Sequence, residues 1–322
     1  MRTSWKLKVG LALGGGAARG IAHVGVIRGL VRAGIPIDIV SGTSMGAIIG
    51  GAYAATEEID VLVERVREVL SSAEFQKNRL SFLRETKRSR GGLFFSVANL
   101  VRKGIFFGVS NIRASFLSAE EFATSMAAIL PDTDIDKLPL PFGAVSLDIK
   151  RAEEIVHRSG NLRRAAAASS AIPGILPPVK INGRVLIDGG WIDKVPVLPA
   201  FTMGADVVIA VDINADLVES KNYRKGVDIM FRANSIKDAT LVSLQCGMAD
   251  VVVRPAVSHI HWADFTAWER CIEAGERAAE EAVPAIRDLL RQERLFSIVR
   301  SGTGKRLSEL VERSGARHLV LE

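Results

Sequence analysis

Two short apolar segments near the start of the chain each end in a glycine-containing turn that leads into a helical pattern. The segment KLKVGLALGGG predicts a buried strand, and ARGIAHVGVIRGLVRAG then places apolar residues at helical spacing. A second strand, IDIV, reaches Gly-x-Ser-x-Gly, and MGAIIGGAYAA predicts the following helix. This β-α-β-α order predicts a parallel sheet with right-handed crossovers. Both turns then lie at the carboxyl ends of strands, so we expect them to face one crevice.

The later part of the chain continues the alternation of strands and helices, which predicts an α/β fold. Strands are predicted in PFGAVSLDI, EEIVHR, ADVVIAVDI and DVVVRP, and a hairpin is predicted in VKINGRVLIDGG. Helices are predicted at about 119–130, in RRAAAASS before Pro173, and at about 227–245 and 268–291.

Between these regions the regular pattern is interrupted over about 84–117. The basic run RETKRSR comes first, and GGLFFSVANLVRKGIFFGVSNI follows with phenylalanines, leucines and glycines but few charges. Apolar side chains that enter a lipid surface, next to basic ones near its phosphates, would suit a lid or a membrane contact. The same phenylalanines could instead cover the hydrophobic core. The sequence leaves both interpretations open.

The composition narrows the class of protein. With 48% hydrophobic and 24% charged residues, the chain can form a substantial core and is not expected to be disordered. Two cysteines provide neither a disulfide framework nor a Cys-x-x-Cys metal site, which favours a reducing compartment such as the cytoplasm. The uncharged stretch 39–56 has the length of a membrane span, but its glycines and polar residues favour a buried turn and helix. The formal charge of +6 suits a membrane surface or nucleic acid and identifies neither.

Ser44 is the candidate nucleophile, because it stands at the centre of Gly-x-Ser-x-Gly where a strand becomes a helix. A sharp turn of this kind exposes a serine oxygen, and the following helix offers free amides and the positive end of its dipole. A serine hydroxyl reacts only when a base lies within hydrogen-bond distance and donors await the oxyanion. The alternative is a small residue in a tight turn.

The first glycine-rich turn, LGGGAARG, could bind either an oxyanion or a phosphate group. The dinucleotide pattern Gly-x-Gly-x-x-Gly fails in both registers, since Arg19 or Ala17 replaces a required glycine. The Walker A pattern also fails, because Ile21 and Ala22 stand where Lys and Ser or Thr are needed. Free amides that form an oxyanion hole are therefore the favoured interpretation, and nucleotide binding is the weaker one.

The base is sought among five histidines and one aspartate. The histidines are His23, His157, His259, His261 and His318. None stands in a pattern that favours catalysis, and the spacing after His259 and His261 fails as a metal motif because Ala263 replaces an aspartate. Asp188 ends an apolar strand before two glycines, so its carboxylate should emerge at a strand terminus. Burial would have to raise its pKa to make it a useful base, and an ordinary turn aspartate is the alternative.

Four segments in this order resemble the patatin-like phospholipase family of serine acyl hydrolases, and specifically its bacterial members. They are LGGGAARGIAHVGVI, IVSGTSMGAIIGG, ASSAIPGILPPV and LIDGGWIDKVPV, and the resemblance covers about 9–201. It implies a three-layer α/β/α fold with a mainly parallel central sheet. It also implies a catalytic core at 9–201 with an insertion at about 84–117, a continuation of the same domain at 202–292, and a tail at 293–322 of unknown role.

The resemblance implies a Ser-Asp dyad without histidine, in which Ser44 is the nucleophile and Asp188 the base. The amides of the oxyanion hole would come from Gly15, Gly16, Ala17 and Met45. Further motif residues that support the site are Arg19, Gly20, Gly42, Gly46, Gly189 and Gly190. The sequence departs from the family where Ala17 replaces a usual glycine, and where Asp193 and Lys194 replace a frequent asparagine pair.

The implied function is hydrolysis of lipid esters of the phospholipase A or lysophospholipase type, with no cofactor and no metal. Phospholipids or other lipid esters are the expected substrates, and no nucleic acid partner is expected. The expected location is the cytoplasm, with peripheral membrane contact through 84–117. Two alternatives on the same fold are an acyltransferase and a catalytically silent lipid-binding regulator.

Overall fold

A computed structural model describes residues 7–72, 124, 126–214, 226–297 and 319–321. The strands are β1 (Val9–Leu13), β2 (Ile39–Thr43), β3 (Phe142–Asp148), β4 (Glu153–His157), β5 (Val179–Ile181), β6 (Arg184–Asp188), β7 (Val207–Val211), β8 (Val251–Val253) and β9 (Leu319–Leu321). The helices are α1 (Ala22–Arg32), α2 (Met45–Thr56), α3 (Ile59–Ser71), α4 (Leu162–Ser169), α5 (Val197–Thr202), α6 (Gly226–Cys246) and α7 (Trp268–Ser297). Short 3₁₀ turns include Ala17–Ile21 and Gly189–Trp191.

The described strands form one sheet in the order β5-β6-β3-β2-β1-β7-β8, and β4 pairs with both β3 and β9. Parallel pairs join β1 to β2 and β7, β2 to β3, β7 to β8, and β4 to β9. Antiparallel pairs join β3 to β4 and β6, and β5 to β6. The expected mainly parallel central sheet is therefore confirmed.

Helices cover both faces of the sheet, which confirms the three-layer α/β/α fold. Leu11 and Leu13 of β1 point to the face packed by α1, α2, α3 and α7. Ala12, between them, points to the opposite face, where Phe201 of α5 and Val242 of α6 complete a second apolar cluster. Because successive side chains of a strand alternate between faces, a strand buried on both sides reads as a continuous apolar run.

Two sequence expectations fall partly or wholly outside this description. The insertion at 84–117 lies outside the described residues, and the helix expected at 119–130 is described only at 124 and 126–130, of which 124 and 126–129 are helical. Two parts of the tail at 293–322 belong to the fold, which the sequence did not indicate. Helix α7 continues to Ser297, and β9 adds a strand beside β4. Within the described ranges, no helix combines the length and apolar character that crossing a membrane requires.

Gly46 allows the first turn of α2 to lie directly on the end of β1. A Cβ atom at this position would overlap the carbonyl oxygen of Leu13, and it would also approach that of Gly14. Both obstacles are backbone atoms, which cannot move aside as a flexible side chain could. The close approach fixes the helix that follows Ser44 relative to the first glycine-rich turn.

Gly46→Ala should lower the free energy of unfolding by about 3 kcal/mol, because the added methyl group forces β1 and α2 apart. Chemical denaturation monitored by circular dichroism measures this change. Gly226→Ala is the matched control, since a Cβ there meets no atom of the described residues within 4 Å. The control should change stability by less than about 1 kcal/mol, in the stabilising direction. Equal stability of the Gly46→Ala variant and the unmodified protein would contradict the close contact.

Candidate active site

Ser44 occupies a strained turn between β2 and α2. Its backbone torsions are φ 56° and ψ −121°, on the positive-φ side that side chains other than glycine seldom adopt. Gly42 makes this turn possible, because a Cβ there would overlap the backbone of Gly46. The amide of Ser44 donates to Oγ of Ser169 at 2.9 Å, which holds the turn from the side of α4. Strain that surrounding contacts maintain in this way is typical of functional sites.

The sheet register brings Asp188 to the same place. Strand β3 lies between β2 and β6, with Thr43 opposite Val145 on one side and Asp188 opposite Ser146 on the other. Ser44 directly follows Thr43, so both candidate residues stand beside the same point of β3. The register of backbone hydrogen bonds thus explains how residues 144 positions apart meet.

Oγ of Ser44 donates a hydrogen bond of 2.7 Å to Oδ2 of Asp188. The other carboxylate oxygen, Oδ1, accepts a bond of 2.7 Å from the amide of Gly190. Ser44 is 6% exposed and Asp188 is 5% exposed, so the pair is largely shielded from water. This is the arrangement of a nucleophile and a base within hydrogen-bond distance.

Burial raises the pKa of Asp188 to about 6. Hydrogen bonds from Gly190 and Ser44, and the positive charge of Lys194, act in the opposite direction because they favour the carboxylate. The balance leaves Asp188 ionised at neutral pH but more basic than an exposed aspartate. A carboxylate with these properties can accept the proton of a serine hydroxyl.

Three of the described histidines have partners other than Ser44. Nε2 of His23 donates to the carbonyl of Gly14 at 2.7 Å, and burial lowers the pKa of this imidazole to about 4, so it is neutral. Nε2 of His157 shares a hydrogen bond of 2.7 Å with Oγ of Ser146, and Nδ1 of His261 accepts from the amide of Ala263. His23 therefore orients the first glycine-rich turn, and the residue that accepts the hydrogen bond of the Ser44 hydroxyl is Asp188.

The first glycine-rich turn lies against Ser44, because a Cβ at Gly15 would stand 3.3 Å from that of Ser44. The amide of Gly15 donates to the carbonyl of Lys194 at 2.9 Å and is thus committed to the protein itself. Within the described part of the chain, no acceptor bonds the amides of Gly16, Ala17 or Met45. These three remain available to an oxyanion.

Two further motif residues shape this turn. Ala17 has a φ of 49°, in the left-handed region that favours glycine. A Cβ at Gly20 would overlap the side chain of Met45, which shows how closely the turn meets the start of α2. The guanidinium of Arg19 makes no hydrogen bond to the dyad and donates instead to the carbonyls of Ile260 and Ser258.

The segment after Asp188 is held by hydrogen bonds with Thr43 and Gln245, which the sequence did not indicate. Oγ1 of Thr43 donates to the carbonyl of Asp193 at 2.8 Å. Gln245 of α6 accepts from the amides of Lys194 and Val195 and donates to the carbonyl of Ile192. Such contacts give no sequence signal, because residues such as Gln245 come close to this segment only in the folded chain.

Comparison with known proteins identifies the family of the chain. Residues 11–201 match the family of patatin-like phospholipases, and this is more than half of the chain. The chain therefore belongs to the patatin-like phospholipase family.

Two relatives and one solved structure illustrate the similarity. The chain is 35% identical over 207 residues to lysophospholipase nte1 of Emericella nidulans, which is 64% of this chain and 12% of that protein. It is 35% identical over 221 residues to the patatin-like phospholipase domain-containing protein ZK370.4 of Caenorhabditis elegans, 68% of this chain and 14% of that protein. The chain thus matches only a small part of each relative. VipD from Legionella pneumophila has a TM-score of 0.43 at 15% identity, over 87% of this chain and 67% of VipD.

Asp188→Asn should make the protein more stable at neutral pH, because it removes a buried charge. The raised pKa means that the folded protein binds this proton more tightly than the unfolded chain. The stability of the unmodified protein should therefore decrease between about pH 4 and about pH 6, by on the order of 2 kcal/mol.

Thermal unfolding of both proteins from pH 4 to pH 7 measures the effect. The difference in Tm should grow up to about pH 6 and then stay constant. A difference in Tm that is the same at every pH would contradict the raised pKa.

Proposed function

We propose that this chain hydrolyses lipid esters, as a serine acyl hydrolase of the phospholipase A or lysophospholipase type that uses a Ser44–Asp188 dyad. The observation that carries the proposal is the buried hydrogen bond of 2.7 Å between Oγ of Ser44 and Oδ2 of Asp188. Membership of the patatin-like phospholipase family supports the class of reaction.

In the acylation step, Asp188 accepts the proton of Ser44 while Oγ attacks the carbonyl carbon of the ester. The amides of Gly16, Ala17 and Met45 bind the oxyanion of the tetrahedral intermediate, with support from the dipole of α2. Each such donor lowers the barrier by about 3 kcal/mol. The alcohol leaves with the proton held by Asp188, and an acyl group remains on Ser44.

In the deacylation step, Asp188 takes a proton from a water molecule that attacks the acyl-serine. The same amides bind the second oxyanion, and the fatty acid leaves as Oγ regains the proton. The bond from Gly190 to Oδ1 keeps Oδ2 directed at the reacting groups through both steps. One carboxylate thus serves as base and acid in turn.

Two observations support a lipid as the substrate. The relative from Emericella nidulans is named a lysophospholipase, and the other is named a phospholipase domain-containing protein. Trp191, directly after the two glycines that follow Asp188, is 50% exposed, and amphipathic aromatic rings suit a membrane interface. Peripheral contact with a membrane, including contact through 84–117, belongs to the same proposal, as does a catalytic core at 9–201 continued over 202–292.

Ser44→Ala and Asp188→Asn should each reduce kcat at least about a thousandfold, because each removes one half of the dyad. Turnover of lysophosphatidylcholine, phosphatidylcholine vesicles and p-nitrophenyl butyrate measures the loss. In the unmodified protein, kcat/KM should rise about tenfold per pH unit up to about pH 6, as Asp188 becomes ionised.

Ser243→Ala and Asp136→Asn are the matched controls, since both residues are exposed and lie outside the dyad. Both controls should retain full activity. Full turnover in either dyad variant would reject the dyad. Acyl transfer to an added alcohol without release of fatty acid would replace hydrolysis by an acyltransferase reaction.

A further inference from the structure

A pair of carboxyl groups lies beside the dyad, one on the buried Asp193 and the other on the half-buried Glu154. Glu154 of β4 and Asp193, which follows the Gly189–Trp191 turn, form a side-chain hydrogen bond with each other. Two carboxyl groups can bond in this way only when at least one of them carries a proton. Asp193 is 5% exposed, and among the described residues no group bonds Oδ1 of Asp193 or Oε1 of Glu154, both fully enclosed.

Among the described residues, no cation contributes to the pKa shift of Glu154 or of Asp193. The charge of Lys194, which directly follows Asp193, acts on Asp188 instead. The residues opposite Glu154 on β3 and β9 are Leu147 and Leu319. The thiol of Cys246, on α6, is close enough to Asp193 to be influenced by its charge, and it is neutral because burial raises its pKa to about 12. With no cation to stabilise two negative charges, the shared proton is what makes this buried contact favourable.

The charged side chains on the adjoining strands form ion pairs with residues other than Glu154 and Asp193. Arg184 of β6 binds the carboxylates of Asp148 and Glu153, and Arg151 also binds Asp148. From β2, the neutral side chain of Thr43 reaches the backbone of Asp193. The protonation of the pair is therefore set by the two carboxyl groups themselves and by their burial.

Asp193 connects this pair to both catalytic residues through its backbone. Its amide donates to the carbonyl of Gly189 at 2.8 Å, and Gly189 directly follows Asp188. Its carbonyl accepts from Oγ1 of Thr43 at 2.8 Å, and Thr43 directly precedes Ser44. The position of Asp193 thus fixes the distance between the chain segments that carry the dyad.

We infer that Glu154 and Asp193 are a positioning pair, whose shared proton holds the segment after Asp188 against β2 and so keeps Asp188 within hydrogen-bond distance of Ser44. The inference rests on the proposed function. In this arrangement the dyad needs an ionised Asp188, whereas its support needs a protonated carboxyl pair.

The two requirements predict a bell-shaped dependence of activity on pH. Burial raises the pKa of Glu154 to about 7 and raises that of Asp193 well above its usual range, and the charge of Glu154 adds to the effect on Asp193. Loss of the shared proton leaves two buried carboxylates in contact, which repel each other and release Asp193. Activity therefore declines on the alkaline side through the apparent pKa of the pair.

Amide variants of the pair test this inference. In Asp193→Asn and in Glu154→Gln, an amide N–H donates to the remaining carboxylate, so the contact no longer needs a shared proton. For p-nitrophenyl butyrate, corrected by the rate of Ser44→Ala, the unmodified protein should lose about tenfold in kcat/KM per pH unit above the apparent pKa of the pair. In both amide variants, the ratio of kcat/KM at pH 9 to that at pH 7 should rise at least about fivefold relative to the unmodified protein.

Two further sets of variants separate positioning from general stability. Asp193→Ala and Glu154→Ala leave the partner without a donor, so they should lower kcat more than KM rises, and the amide variants should restore kcat. Glu153→Gln is the matched control on the same strand, because its carboxylate binds Arg184 instead of the pair. This control should leave the alkaline decline at the same pH as in the unmodified protein.

Thermal unfolding between pH 6.5 and pH 9 gives a readout that does not depend on catalysis. The folded protein retains a proton that the unfolded chain has released, so the Tm of the unmodified protein should fall over this range more than that of Asp193→Asn. An alkaline decline or a fall in Tm that persists unchanged in both amide variants would overturn the positioning pair. A protein with no ester turnover at any pH would contradict the proposed function, and the unfolding experiment would still decide whether the pair shares a proton.

Discussion

The contact between Ser44 and Asp188 depends on the backbone ladder of the central sheet. Strand β3 separates the two strands that carry these residues, and its register with β2 and β6 sets their alignment. A slip of one residue in either pair would turn the side chains to opposite faces and separate the dyad. The flanking glycines then let the turns pack against neighbouring backbone, since a Cβ at Gly189 would overlap the carbonyl of Val145. The site is therefore positioned mainly by rigid elements, with the loops fastened to them.

Burial raises the pKa of Asp188 and of the Glu154–Asp193 pair, but the consequences for protonation and stability differ. At Asp188 it raises the pKa to about 6, which makes the carboxylate more basic and costs stability at neutral pH. At Glu154 and Asp193 it favours retention of a proton, which in our account stabilises the segment that carries Asp188. In many active sites, carboxyl groups in different environments hold different protonation states at the same pH and so take different roles. The difference in protonation comes from hydrogen bonding. Asp188 accepts hydrogen bonds from Ser44 and Gly190, which favour the carboxylate, whereas the contact between Glu154 and Asp193 needs a proton on one of the two carboxyl groups.

The parts of the site that could be predicted from the sequence are those encoded in continuous segments. Gly-x-Ser-x-Gly at a strand-to-helix junction identified Ser44, and Asp188 was indicated by an apolar strand followed by two glycines. The contacts that support them join distant segments, as when the amide of Ser44 meets Ser169, and no local pattern encodes such pairs. The commitment of the Gly15 amide to Lys194 could not be foreseen for the same reason. Strand β9 was missed because three residues are too few for a periodic signal, and its pairing with β4 depends on the whole fold.

The central claim is that Ser44 is the residue that becomes acylated in front of the first glycine-rich turn. A crystal structure of the protein after reaction with an alkyl fluorophosphonate tests it most directly, because this reagent forms a stable mimic of the tetrahedral intermediate on an activated serine. The account predicts phosphorus bonded to Oγ of Ser44, with the phosphoryl oxygen about 3 Å from at least two of the amides of Gly16, Ala17 and Met45. An unmodified Ser44, or a phosphoryl oxygen directed away from these amides, would contradict it.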